Sequence, residues 1–167
     1  MPVSDQGMDA KRYYVVPRTL IFLFDSDRRV LLMLGSSTKR LWSGFYNGIG
    51  GHVERGEDIQ SAAYRELYEE TGISGALLRF CGQIMVDINA KSGVAIFIFR
   101  GEVTTNDFRP SAEGDLEWIP LDQLDGLPLV EDLKLLIPKI AYHKPEDPIL
   151  IGNYAYDDSG KMIISIG

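Results

Sequence analysis

The sequence predicts an α/β fold, because short runs of β-branched, aromatic and aliphatic residues alternate with turn clusters and with two stretches of helical character. The chain has 167 residues, enough for one ordinary domain. No repeat, linker or low-complexity stretch divides it. The predicted strands are residues 13–24 (after an irregular start at Pro17), 30–34, 77–88, 94–103, 116–119, 149–156 and 161–166. We therefore expect a sheet with helices packed on it.

Two segments have the composition of helices. Residues 57–71 contain neither Pro nor Gly and include Ala62, Ala63, Leu67 and several glutamates, and Gly72 follows as a typical C-cap. Residues 130–142 look helical, with Pro138 expected to kink or restart the helix. Residues 41–51 contain four glycines, which predicts irregular backbone that approaches another group closely.

The composition narrows the functional classes. Net charge is −7, from 17 basic and 24 acidic residues, which disfavours a nucleic-acid polymer as the partner. The longest apolar run, residues 94–99, is too short to span a membrane. A single cysteine fits a reducing compartment, and we expect a cytoplasmic protein. We expect residues 1–11 to form a flexible tail before one domain of residues 12–167.

Three glutamates fall together if residues 57–71 are helical. At 100° per residue, Glu66, Glu69 and Glu70 share an arc of roughly 100° with Ile59 and two alanines. Like charges at this spacing repel, and Arg65 alone does not neutralise three acids. Converging carboxylates suit Mg2+ or Mn2+, whereas a solvated glutamate-rich face is the alternative.

Residues 51–73, GHVERGEDIQSAAYRELYEETGI, decide between these two interpretations. They match the pattern G-x5-E-x7-R-E-U-x-E-E-x-G-U, with U a bulky aliphatic residue, at every fixed position. With average residue usage, such a match arises by accident with a probability on the order of one in ten million. The segment resembles the Nudix box of the Nudix hydrolases. The resemblance implies an α/β/α sandwich with a mixed sheet and the box helix packed on it.

The resemblance also implies roles for the box residues in the hydrolysis of a nucleoside diphosphate derivative by water attack at phosphorus. Mg2+ or Mn2+ would be held by Glu66, Glu69, Glu70 and the backbone carbonyl of Gly50. Glu57 and Arg65 would orient these carboxylates, and Glu66 is the better candidate for the base that activates water. Glu113 lies where related enzymes often carry an extra acidic ligand or base, but it would equally suit a solvated loop.

A narrower resemblance is to MutT-type nucleoside triphosphate diphosphatases that remove oxidised purine nucleotides such as 8-oxo-dGTP. Residues 46–51, YNGIGG, resemble the W-N-G-F-G-G run of those enzymes. Asn47 would bind a purine edge, and Trp42, Phe45 or Tyr46 would stack on the base. The remaining candidates for substrate contacts are Asp132 or Glu131 for the base and Lys39 for the phosphates.

The substrate and the assembly stay open at this point. Val130 stands where related sequences often place a base-stacking tryptophan, so the purine preference is not decided. ADP-ribose, a nucleotide sugar or a capped nucleotide is the alternative substrate, and a non-catalytic binding module is a further possibility. We expect a small-molecule nucleotide as the partner and either a monomer or a homodimer.

Overall fold

The computed structural model describes residues 12–36, 42–105, 107–109 and 113–167. The predicted N-terminal tail and Lys39 lie outside these residues. Within the described ranges the chain forms eight strands and two α-helices. In order they are β1 (Tyr14–Phe24), β2 (Arg29–Gly35), β3 (Tyr46–Asn47), α1 (Ile59–Thr71), β4 (Arg79–Asp87), β5 (Ser92–Glu102), β6 (Gly114–Pro120), a 3-10 helix (Leu121–Gly126), α2 (Leu133–Ala141), β7 (Leu150–Tyr156) and β8 (Met162–Ile166).

The strands form one mixed sheet, as predicted. Their order is β3-β2-β1-β5-β4-β7-β8, with β6 paired to β2. β1 runs parallel to β5, and β4 runs parallel to β7, whereas the other pairs are antiparallel. β1 and β2 are paired only beside their connecting turn, at Leu23 with Leu31 and Phe24 with Val30. The sheet therefore opens between these two strands.

The glycine-rich segment enters this opening. The Thr19 amide donates to the Gly51 carbonyl at 2.8 Å, and the Ile21 amide donates to the Ile49 carbonyl at 2.7 Å. Pro17 lies on the same side of β1, where its carbonyl accepts a bond from Val53 at 3.1 Å. Its missing N–H thus removes no bond to β5, and β1 runs through Pro17 without the irregular start that we expected.

Two hydrophobic clusters cover the two faces of the sheet. Ile21 and Leu23 pack with Leu67 of α1, whereas Phe22 and Phe24 pack with Leu133 of α2. This division follows from the alternation of side chains along β1. The layers are therefore helix, sheet and helix, which confirms the predicted α/β/α sandwich. Among the described residues, neither α-helix has the length and apolar composition of a membrane span.

Helix α1 begins two residues later than its composition suggested. The Asp58 carboxylate accepts hydrogen bonds from the backbone amides of Gln60 and Ser61, at 2.8 and 2.9 Å, and so caps the first turn. Glu57 consequently lies before the helix. The predicted end at Gly72 is confirmed, since this residue adopts φ 75° and its amide donates to the Tyr68 carbonyl.

Candidate active site

Helix α1 contacts the glycine-rich segment through Glu70. This carboxylate is buried, and its Oε2 accepts a hydrogen bond of 3.0 Å from the Gly50 amide. Gly50 has φ 138°, and a Cβ atom there would overlap the Thr19 carbonyl. Only glycine fits this position, because both the backbone conformation and the space exclude a side chain.

Glu66 lies against the next glycine. A Cβ atom on Gly51 would be 2.5 Å from Glu66 Oε1, so the bare backbone makes room for this carboxylate. The Glu66 side chain is only 13% exposed. The two consecutive glycines thus seat two largely buried carboxylates, one turn apart on α1, beside the opening in the sheet.

Arg65 connects the acidic residues of the box. Its guanidinium donates to both Glu57 oxygens at 2.7 and 3.0 Å, to Glu66 at 2.8 Å and to Glu69 at 3.1 Å. It also donates to the His52 carbonyl at 2.9 Å. These bonds to Arg65 hold the pKa of the Glu57 carboxyl below its usual value and raise the pKa of Arg65. Arg65 therefore offsets much of the repulsion expected along α1.

Glu69 differs from the other two glutamates. Its side chain is 56% exposed and does not line the cavity, whereas Glu66 and Glu70 do. In the part of the chain that the structure describes, no three acidic, His or Cys side chains are already arranged to hold a metal ion. The three carboxylates expected to meet are therefore divided, since two line the cavity and one does not.

The donor chemistry nevertheless fits a hard divalent cation. The cavity-lining carboxylates provide oxygen ligands, and the bare Gly50–Gly51 backbone beside them leaves space that a side chain would fill. Gly50 contributes its amide to Glu70 in this structure. The metal contact of its carbonyl stays a prediction.

The cavity has a volume of about 560 Å3 and is lined by both polar and apolar side chains. The polar side chains of the lining include Arg18, His52, Glu54, Glu66, Glu70 and Glu113. The apolar walls include Trp42, Phe45, Val86, Ile88, Val94, Ile96, Val130, Tyr156 and Met162. This combination can hold an anionic group together with a flat or apolar group.

Asn47 and Asp132 both line this cavity. Burial raises the pKa of the Asp132 carboxyl. The Tyr154 hydroxyl is buried next to Asp132, yet it has no aligned hydrogen bond to any described residue. The burial of Tyr154 and its proximity to Asp132 raise the pKa of the phenol. A ligand that enters here would meet a buried carboxyl with a phenol hydroxyl beside it.

Three of the residues predicted to contact the substrate are not among the described residues that line the cavity. Tyr46 belongs to the hydrophobic core and donates a hydrogen bond of 2.9 Å to Glu117, so it does not line the cavity. Of the two acids considered for the base, Asp132 is in the cavity and Glu131 is exposed outside it. Lys39 is outside the described residues. Trp42 and Phe45 remain as the candidate stacking residues.

Arg18 and Tyr154 are cavity residues that we did not expect as site residues. Both lie on strands whose sequence indicates only sheet structure. The alternation of side chains along β1 could have indicated Arg18, because it places residue 18 on the same face as Leu20, which also lines the cavity.

Comparison with known proteins decides the family. The sequence profile described as the NUDIX domain matches residues 15–140. The chain belongs to the Nudix family. The Nudix box of this protein thus lies within a match that extends over most of the chain.

The relatives of this Nudix protein include MutT-type hydrolases. It is 27% identical over 157 residues to the oxidized purine nucleoside triphosphate hydrolase of Mus musculus, covering 93% of this chain and 94% of that protein. It is 30% identical over 107 residues to the protein of the same name from Danio rerio, covering 64% and 67%. The structure of the MutT protein of Bacillus halodurans superposes with a TM-score of 0.75 at 25% identity, covering 91% and 97%. The protein is a Nudix hydrolase of the MutT type.

Proposed function

We propose that this Nudix hydrolase is a Mg2+- or Mn2+-dependent pyrophosphohydrolase that converts a nucleoside triphosphate to a monophosphate and pyrophosphate. The proposed substrate is an oxidised purine nucleotide such as 8-oxo-dGTP. One observation carries the proposal. A single cavity is lined by the carboxylates of Glu66 and Glu70 from α1, and by the amide of Asn47 and the buried carboxyl of Asp132 from other parts of the fold. Such a cavity suits phosphates at the box and a base beyond them.

The residues at and near the box would have separate roles in hydrolysis. Glu66, Glu69, Glu70 and the Gly50 carbonyl would hold the divalent cation, which when bound supplies charge neutralisation and acidifies water. Glu66 would accept the proton of the attacking water, with Glu113 as the other candidate because it also lines the cavity. Arg65 and Glu57 would keep Glu66 in position.

The cavity residues outside the box would select the base of the substrate. Trp42 or Phe45 would stack on it, while Asn47 and Asp132 would bind its polar edge. The raised pKa of Asp132 favours the protonated carboxyl, which can donate a hydrogen bond as well as accept one. The names of the mouse and zebrafish relatives support an oxidised purine.

The proposal is tested with purified protein, Mg2+ and a substrate panel of 8-oxo-dGTP, dGTP, ADP-ribose and a nucleotide sugar. We expect the highest kcat/KM with 8-oxo-dGTP, and release of pyrophosphate without orthophosphate. Preferred turnover of ADP-ribose or the nucleotide sugar would contradict the proposed substrate while retaining the hydrolase chemistry. Orthophosphate as the direct product would contradict the proposed bond cleavage.

A further inference from the structure

The cavity is lined by an unbalanced set of charged side chains. Arg18 is the only Lys or Arg among its described lining residues. The acidic side chains in the same lining are Glu54, Glu66, Glu70, Glu113 and Asp132. A polyphosphate that enters this space meets repulsion from the carboxylates, and one fixed positive charge has a large local effect.

Arg18 lies close to the box. It is opposite His52 in an isolated antiparallel bridge, and the neighbouring Thr19 amide donates to Gly51 at 2.8 Å. Gly51 is in turn the residue that borders the Glu66 carboxylate. Arg18 is thus paired with His52, the residue that follows Gly51 in the segment beside the Glu66 carboxylate.

The alternation of side chains along β1 places Arg18 on the face of the sheet that packs against α2. Residues 18, 20 and 22 share one face of the strand. Leu20 on that face lines the cavity, and Phe22 packs in the cluster that contains Val130 and α2. Glu66 and Glu70 belong to α1, which packs on the opposite face. Arg18 therefore lines the cavity from the face of the sheet on which Asp132 precedes α2, whereas Glu66 and Glu70 line it from the other face.

The Arg18 guanidinium has no hydrogen bond or ion pair with any residue that the structure describes, although the residue is half-buried. Other half-buried arginines of this protein are held, as Arg29 is by Asp25 and Arg65 is by Glu57. Arginine presents paired N–H donors that match a phosphate, and such charge-assisted bonds are strong in a partly desolvated site. The unpaired donors, the half-burial and the position in the cavity lining together suit a phosphate ligand.

We propose that Arg18 binds the phosphate that stays with the nucleoside when the substrate is cleaved. The proposal deepens the proposed function, on which it rests for the bond that is cleaved. Arg18 is here a substrate-binding residue, and the leaving pyrophosphate is held separately, by the groups at the box.

The experiment compares Arg18→Gln with wild-type protein in Mg2+ buffer by isothermal titration calorimetry. The probes are 8-oxo-dGMP, dGMP, AMP and inorganic pyrophosphate. Loss of a charge-assisted pair predicts that the affinity for the best-bound monophosphate falls about tenfold or more. We expect the affinity for pyrophosphate to change less than about twofold, because its contacts are elsewhere. Arg18→Lys, which keeps the charge, is expected to recover part of the lost affinity.

Lys139→Gln is the matched control, because it removes one positive charge from an exposed position outside the cavity. It should leave all four affinities unchanged, and thermal unfolding should show that each variant is folded. An equal loss with Lys139→Gln, or a loss confined to pyrophosphate, would overturn the assignment of Arg18. Wild-type protein that binds none of the monophosphates at millimolar concentration would overturn it as well. If the wild-type protein binds AMP best, only the proposed oxidised purine substrate is contradicted. The role of Arg18 is then tested by the effect of Arg18→Gln on the affinity for AMP.

Discussion

Two hydrogen bonds, of 2.7 and 3.0 Å, join the Arg65 guanidinium to both carboxylate oxygens of Glu57. The pair explains the spacing of eight residues between them. Glu57 precedes the Asp58 cap, and the first two turns of α1 then bring Arg65 back beside it. With Glu57 as an anchor, Arg65 still reaches Glu66 and Glu69. The two bonds to Glu57 thereby restrain the Arg65 guanidinium, so that its contacts with Glu66 and Glu69 keep one geometry.

This pair predicts the effect of Arg65→Lys. A lysine keeps the charge but cannot bind Glu57 with two parallel bonds while also reaching Glu66 and Glu69. We expect kcat and the affinity for Mn2+ to fall about 10- to 100-fold, as is typical when the support of a metal ligand is lost. Steady-state kinetics and Mn2+ titration measure both quantities. Arg55→Lys, at an exposed position of the loop that contains Glu57, is the control, and an equal effect there would contradict the positioning role.

The carboxylate ligands are tested by Glu70→Gln and Glu69→Gln. Glutamine retains an oxygen that can accept the Gly50 hydrogen bond, so the fold should persist while the ligand charge is lost. We expect kcat to fall more than about 100-fold, beyond the usual effect of supporting groups. Glu146→Gln, at an exposed position, should be neutral. Near-normal turnover of Glu69→Gln would show that the exposed carboxylate of Glu69 takes no part in metal binding.

The space at Gly51 predicts a loss of activity without a comparable loss of stability. In Gly51→Ala the new methyl group would displace the flexible end of Glu66 rather than the backbone. We expect kcat to decrease about 10- to 100-fold, as for a misplaced active-site group, while the unfolding temperature changes little. Gly126→Ala is the matched control, since a Cβ atom there meets nothing within 4 Å. An unchanged kcat for Gly51→Ala would mean that Glu66 need not occupy this position.

Asp132 predicts a specific dependence of stability on pH. Its pKa is raised by burial, so the folded protein binds this proton more tightly than the unfolded chain does. The contribution of Asp132 to folding is therefore most favourable below its ordinary pKa and is lost as pH rises through the folded-state pKa. We expect Asp132→Asn to be more stable than wild type at pH 7.5 by about 1 kcal/mol, with the difference shrinking toward pH 4.

Urea unfolding of both proteins across this pH range measures the difference. Asp125→Asn, an exposed substitution, should show little pH-dependent change relative to wild type. A difference between Asp132→Asn and wild type that grows on acidification would contradict the raised pKa of Asp132.

The sequence predicts the layers of the fold and the box, because both depend on local patterns. The strand runs, the Gly72 cap and the spacing of Glu57 and Arg65 are each visible within a few turns of chain. The cavity is less predictable, since Arg18, Asn47, Asp132 and Tyr154 come from distant parts of the chain and line one cavity only in the folded protein. Tyr46 illustrates the limit. Its position in the motif indicates a base contact, but its side chain packs in the core and bonds to Glu117.

The C-terminal hairpin of β7 and β8 supplies Tyr154, Tyr156 and Met162 to the cavity, although the NUDIX profile ends at residue 140. The box and part of the cavity wall are thus encoded in separable stretches of chain. Exchanging residues 149–167 with those of a relative would leave every box residue in place while changing one side of the cavity. Variation in this hairpin alone would therefore alter the shape of the cavity without altering the carboxylates of α1.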